Sequence, residues 1–218
     1  IAAVSTSTIV LLGNSALLGF ASTHRALLGH DVGHRQGYRG KRLNLFGRYL
    51  WGSLLLGVSH SWWNDKHNQH HATPNHMDLD PDIQFPMIVF AAEQIASRSR
   101  WLHPIIAFQA FVLLFLLPFQ AANMRITSAR HLLDPKADSP WLQAGLLGLH
   151  FAAYGVVLYF VGWPIGIAFA AIHQGTFGLL NSSVFASNHK GMPLMTEGNR
   201  LDYKPVQLKP LSVDSVPP

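Results

Sequence analysis

Residues 141–189 read WLQAGLLGLHFAAYGVVLYFVGWPIGIAFAAIHQGTFGLLNSSVFASNH, a run without one Asp, Glu, Lys or Arg. About 20 apolar residues carry a helix across the ~30 Å hydrocarbon core of a bilayer, so this run is long enough for two crossings. Gly162-Trp163-Pro164 interrupts it near the middle and predicts a hairpin of helices over 141–161 and 164–186. Residues 1–23 and 101–124 are free of the same four residue types. Across the 218-residue chain only 12% of residues are charged, against roughly 25% in ordinary soluble domains. The fold class read from this is all-α: an integral membrane helical bundle.

Between the charge-free stretches, residues 24–100 hold nine of the sixteen Lys and Arg, and positive charge gathers on the cytoplasmic side of membrane proteins. That segment is therefore expected to form a helical cap on the cytoplasmic face. Leu43–Trp63, apolar but for Arg48, either lies along the membrane surface or is a buried helix. Parity constrains the rest. If four segments cross, His189 ends opposite the cap; the basic stretch Arg125, Arg130 and Lys136 favours a cytoplasmic loop and makes 101–124 the segment that only dips in. Residues 1–200 read as one membrane domain, and 201–218 as a poorly ordered tail. The net charge of +5 comes without a dense Lys/Arg run, so no nucleic-acid partner is expected; the surrounding partner is membrane lipid.

Two counts remove whole chemistries. Zero Cys excludes disulfides, thiolate metal sites, iron–sulfur clusters and covalently attached haem. Glu occurs only at positions 93 and 197, too few for a carboxylate-bridged di-iron bundle and wrongly placed for a His-Glu-x-x-His zinc protease.

Against these absences stand thirteen histidines. His30-Asp31-Val32-Gly33-His34 sets two imidazoles one helical turn apart, and His67-Asn68-Gln69-His70-His71 sets three on one face. Five neutral nitrogen donors on two short helices beside apolar segments make a site for a borderline transition metal: iron, zinc or copper. Asp31 and the carboxylates of Asp78-Leu79-Asp80-Pro81-Asp82 are placed to accept the second ring N–H of such ligands. His24 and His60 read as interfacial or packing residues, and His76, His103 and His131 carry no spacing signal.

Gly29-His30-Asp31-Val32-Gly33-His34, Trp62-Trp63-Asn64-Asp65-Lys66-His67-Asn68-Gln69-His70-His71-Ala72-Thr73-Pro74-Asn75, Asp80-Pro81-Asp82-Ile83 and Asn188-His189-Lys190-Gly191-Met192-Pro193 resemble the membrane fatty acid desaturases, in particular the bacterial and front-end, delta-6-like subgroup. The resemblance covers roughly residues 10–200. It implies two non-haem irons held on the cytoplasmic face by His30, His34, His67, His70, His71 and His189, with Asp31, Asn75, Asp80 and Asp82 supporting the ligands. It implies O2-dependent removal of two hydrogens from a fatty acyl substrate carried by CoA, a lipid or a carrier protein, giving a cis double bond. Electrons would come from a ferredoxin or a cytochrome b5, since neither a nucleotide-binding Gly motif nor a His-Pro-Gly-Gly signature is present. Trp51, Trp62 and Trp63 are candidates to wall the acyl tunnel. The family's third box, Gln-x-x-His-His, has no counterpart after His189, and Lys204–Pro210 does not look like the family. The expectation is a truncated or frame-shifted chain, also lacking an upstream helix, that does not turn over by itself.

Other readings stay open. Lipid hydroxylases share the His boxes. A b-type haem electron-transfer protein could use His150 and His173, which lie about 12 and 10 residues from the hairpin turn and so at matched depth. A metal transporter would need ionisable residues inside its spans, which 141–189 lacks.

Overall fold

The computed structural model describes residues 7–189 and 194–195. The described residues are helical, with no β-strand beyond one isolated bridge. The expected tail, 201–218, lies outside them. Helix α1 spans Thr8–Gly33, α2 Lys41–Arg48, α3 His60–Ala72, α4 Glu93–Ala96, α5 His103–Ala107, α6 Gln109–Leu116, α7 Gln120–His131, α8 Pro140–Val161 and α9 Ile165–His189.

The charge gap ends at residue 23, but helical hydrogen bonding runs ten residues further, so the first His pair is the end of one long apolar helix and not a short helix of its own. The hydroxyls on α1 are satisfied within the helix: Ser15 Oγ donates to Leu12 O at 2.7 Å and Ser22 Oγ to Leu18 O at 2.9 Å. Helices α1 and α9 make the most extensive pairing. Their backbones approach closely at Gly19, where a Cβ would lie 2.7 Å from His173 O and from Thr176 Cβ.

The predicted hairpin forms, with Gly162 at φ +80 between α8 and α9. Helix α8, 22 residues with mean hydropathy 1.8, buries only Gln143 and Leu147 and turns Leu142, Leu149, Val156 and Phe160 outward. A second helical stretch, Gln109–His131, is also long and apolar enough to cross a membrane by length and composition, where the sequence reading held 101–124 short of a crossing. It is not straight: Leu117–Phe119 is a 3-10 turn around Pro118, which cannot donate to the helical ladder. Among the described residues those two are the helices that meet the criterion. Helices α1 and α9 are longer, but Ser, Thr, Asn, Gln and His lower their hydropathy, and several of these side chains are buried in the bundle.

Leu43–Trp63 is not a single helix. The chain forms α2, then a π-helical segment, Tyr49–Leu56, closed by Gly57 at φ +73, then α3. Carbonyls at the end of the π segment receive donors from elsewhere in the bundle. Arg125 donates to Leu56 O at 3.2 Å and His150 Nδ1 to Leu54 O at 2.9 Å. Arg125 also meets Gln174 Oε1, and its guanidinium lies 5.7 Å from the ring centre of Phe177. A cation at a helix C-terminus is favourably placed. Helix α3 starts at Ser59, whose Oγ accepts from Trp62 N at 3.2 Å. Fully buried Gln143 of α8 ties this start down, accepting from Ser59 Oγ at 2.8 Å and Ser61 N at 3.3 Å. Beyond α9, Met195 returns to the loop after α3, exchanging backbone bonds with Asn75 O and Met77 N at 2.9 Å. The C-terminal end of α9 therefore lies at the same end of the bundle as the second His group.

Candidate metal centre

The last turn of α1 and the last two turns of α3 bring four imidazoles together. His34 Nε2 lies 2.9 Å from His67 Nε2, and His71 Nε2 lies 3.0 Å from the same atom. His30 completes the group, its ring centroid 4.5 Å from His34 and 4.9 Å from His67. One nitrogen of each of the four falls within 4.8 Å of the others. Two cis nitrogens about 2.1 Å from a common ion at right angles are about 3.0 Å apart, so the observed separations fit a shared metal. Neutral imidazoles converging without intervening donors otherwise gain only one proton between each pair, and the donor set suits a transition metal over calcium or magnesium.

The electrostatics favour the neutral, ligating form. Burial, then the neighbouring imidazoles, push His67 down to about 3. Burial followed by His30 and His71 lowers His34, and burial followed by His70 and His30 lowers His71.

His70 stands apart from the four. Its Nδ1 is 3.0 Å from both oxygens of Asp80, and its ring centroid is 6.1 Å from that of His67. Asp80 is wholly buried and also accepts from Asn75 N at 2.7 Å and Asp82 N at 2.8 Å. Burial alone would raise its carboxyl; the bonds from His70, Asp82 and Asn75 outweigh this and hold it below the ordinary range. Asp80 in turn raises His70, against the opposing effect of burial. Asn75 acts through its backbone, at φ +57, and Asp82 pairs with Lys66. Asp31, more than half exposed, meets His30 Nδ1 at 3.2 Å. His189 ends α9, and its side chain lies outside the described residues.

The tryptophans divide. Trp63 stacks on His67 at 4.3 Å and lines a cavity of about 180 Å³ that also touches His30. Trp51 does not line this cavity but donates to Tyr38 Oη at 2.9 Å. Nor does Trp62, which packs on the core of Leu56, Val58, Ala121, Met124 and Phe177. Their spacing could not distinguish these fates.

Three further residues matter. Gly33 has no room for a side chain: a Cβ would overlap one carbon of the Trp63 ring and come 2.7 Å from another. Arg48 donates to Gly33 O at 2.7 Å, a cation closing the C-terminus of α1 at the first His pair. That lone charge in an apolar stretch was the available signal for it. His60, read as a packing residue, is buried and lines the cavity.

The haem reading loses one of its two ligands. His173 Nδ1 is 2.8 Å from Tyr154 Oη and its Nε2 is 3.1 Å from Ser22 Oγ, so both nitrogens are bonded within the protein.

The model of the family described as fatty acid desaturase matches residues 5–213, beyond residue 200 where the sequence reading ended the likeness. The chain belongs to the fatty acid desaturase family. The Delta(6)-fatty-acid desaturase fat-3 of Caenorhabditis elegans is 27% identical over 202 residues, covering 86% of this chain and 45% of the relative. The acyl-lipid (9-3)-desaturase of Physcomitrium patens is 28% identical over 194 residues, 84% of this chain and 37% of its own. A Delta(8)-fatty-acid desaturase of Borago officinalis reaches 39% over 95 residues, 44% of this chain and 21% of its own. The chain thus spans less than half the length of these curated relatives. No solved structure matches it. Desaturases are membrane-associated, metal-dependent oxidoreductases acting on acyl chains, and among the described residues of this member two helices are long and apolar enough to cross a membrane.

Proposed function

We propose that this chain carries the metal-binding and acyl-binding core of a fatty acyl desaturase, with iron held by His30, His34, His67, His70, His71 and His189 on the cytoplasmic face. The observation that carries the reading is the meeting of three Nε2 atoms at 2.9 and 3.0 Å, from two helices, beside an apolar cavity. Iron supplies, when bound, the oxidising power to remove hydrogen from an unactivated methylene, which no side chain has.

The chain's own residues do the positioning. Trp63 forms both a wall of the cavity and a backing for His67, so the acyl segment and the ligand set share one surface. Asp80 holds the Nδ1 proton of His70 and so fixes which nitrogen is left to ligate. Leu27, Leu56, Val58 and Val184 keep water from the reacting carbons, and a volume near 180 Å³ admits a short run of methylenes and not a whole lipid. The acyl carrier is CoA, a lipid or a carrier protein, and the electrons come from a separate ferredoxin or cytochrome b5. A lipid hydroxylase would use the same ligands; the relatives named above favour desaturation.

The test begins with metal analysis and visible spectra of the chain purified in lipid discs. Bound iron without a haem band, lost in His34→Ala and His67→Ala, is the expected result; an iron-free chain or a haem band would overturn the reading. Product analysis follows, on deuterium-labelled acyl lipids with O2 and a reducing donor. A double bond is expected when the chain is co-expressed with the parts of the nematode relative that the match does not cover. Hydroxylated lipid as the product would move the chain to the hydroxylases.

A further inference from the structure

His60 is anomalous for a packing residue. It is 5% exposed, and neither ring nitrogen has a hydrogen-bond partner. An unpaired buried polar group costs stability that a phenylalanine of similar size would not. Tyr49 packs edge-on against the ring at 4.5 Å, and Gly52 lies against its Cβ, so it is held in place. One side of the residue borders the cavity that His30 and Trp63 also line. On another, its Nε2 is 4.0 Å from Oδ2 of Asp138, a carboxylate 60% exposed to solvent. That separation is too long for a hydrogen bond, and an approach of about 1 Å would make one.

We infer that His60 is a proton relay, passing protons from bulk water by way of Asp138 into the cavity beside the imidazole cluster. The inference rests on the desaturase reading for its demand. Each turnover is R–CH2–CH2–R′ + O2 + 2 e⁻ + 2 H⁺ → R–CH=CH–R′ + 2 H2O. Two C–H bonds break and one C=C forms; O2 is the oxidant, and the one-electron donor supplies both electrons. The two protons must come from solvent into a cavity built to exclude it. Of the titratable residues on the cavity wall, His30 belongs to the metal cluster and Arg48 is fixed on the end of α1. His60 remains, and the surface carboxylate it approaches, Asp138, lies outside the metal cluster.

The charged and titratable groups acting on it are Asp138, Arg48 and Tyr49, none of them in the metal cluster. Burial pushes His60 down to about 4, with Asp138 opposing and Arg48 reinforcing. A relay does not need to hold its proton. At pH 7 such a ring is protonated about one part in a thousand; if each protonated ring passes its proton on at roughly 10⁴ per second, roughly 10 protons arrive per second, enough for about 5 turnovers.

The first test needs no metal. Deuterium exchange at the His60 ring carbon, followed by mass spectrometry from pH 3 to 8 on the metal-free chain in lipid discs, reads both its titration and its access to water. His60 should titrate below 6.5, and Asp138→Asn, at an exposed site, should move its midpoint lower still. A His60 that does not titrate, or is indifferent to Asp138→Asn, overturns the relay. The second test uses the iron-loaded, co-expressed assembly. His60→Gln should keep its iron and acyl binding while turnover falls at least tenfold. In His60→Gly, added imidazole should restore the rate and pyrazole, similar in shape but barely basic, should not. Equal rescue by both would show that the ring only fills space. If the unaltered assembly forms no product, the desaturase reading fails, and the metal-free titration alone decides the relay.

Discussion

Gly33→Ala separates a crowded position from a tolerant one on the same helix. At Gly33 a Cβ would overlap one Trp63 ring carbon and lie 2.7 and 3.1 Å from two others. Ordinary contact begins at 3.4 Å, so the ring must withdraw by about 0.7 Å or more. It cannot do so freely, because it is stacked on His67 at 4.3 Å and set edge-on against His30 at 5.5 Å. Overpacking of this kind costs about 1–3 kcal/mol. Replacing a helical Gly by Ala returns up to about 1 kcal/mol, which Gly29→Ala gains without a clash because its Cβ would lie 3.9 Å from Trp51. The difference between the two variants therefore isolates the clash, at about 1–3 kcal/mol. Since about 1.4 kcal/mol is tenfold in binding, iron affinity in Gly33→Ala should fall roughly 10- to 100-fold if His67 moves with Trp63. Denaturant titration of the metal-free pair, with iron competition against a chelator, measures both. A Gly33→Ala protein as stable and as tight for iron as Gly29→Ala would refute the argument.

Other perturbations follow from the same geometry. Asp80→Asn removes the buried charge that orients His70; it should destabilise the fold by about 2–3 kcal/mol and weaken iron binding 10- to 100-fold, read by the same titrations. Arg48→Met keeps most of the side chain's bulk but uncaps α1; a loss of about 1–2 kcal/mol with looser iron is expected, and unchanged iron affinity would mean the cap does not orient His34. Lowering pH should destabilise the metal-free chain. The folded His67 resists protonation down to about 3 while the unfolded imidazole titrates near 6.5, so stability present above 6.5 is lost as pH falls, by about 2 kcal/mol at pH 5 from this residue. His70, raised by Asp80, works in the opposite sense, so a chain stable to acid in the Asp80-intact form but not in Asp80→Asn would assign more of the balance to that pair.

Much of the architecture could be read before the structure because charge and spacing report on solvent and on helical phase. The Trp141–His189 run contains its hairpin, and His30 with His34 and His67 with His71 share faces because they are one turn apart. What escaped was whatever depends on a partner distant in sequence. The charge gap ends at residue 23 because it marks where the surroundings cease to be apolar, not where α1 stops. The π segment leaves no compositional trace: its wider turn is held by Arg125 and His150, about 70 and 96 residues away in the chain. Trp51, Trp62 and Trp63 are equivalent as letters, and only packing shows that the third alone borders the cavity. His60 reads as a packing residue because what sets it apart is what it fails to bond, which the letters around it do not show. The sequence offers Asp78, Asp80 and Asp82 alike as partners for a histidine, and only the fold selects Asp80 for His70.

Helix α1 has a consequence of leverage. Its 26 residues make a rod about 39 Å long whose tip is the first pair of imidazoles. A pivot of about 3° at the far end sweeps the tip through about 2 Å, comparable to a whole metal–nitrogen bond. The tight seat of Gly19 on α9, near mid-length, shortens that lever arm by nearly half. Any tilt of α1 about that fulcrum therefore changes the spacing between the His pair at its tip and the histidines of α3.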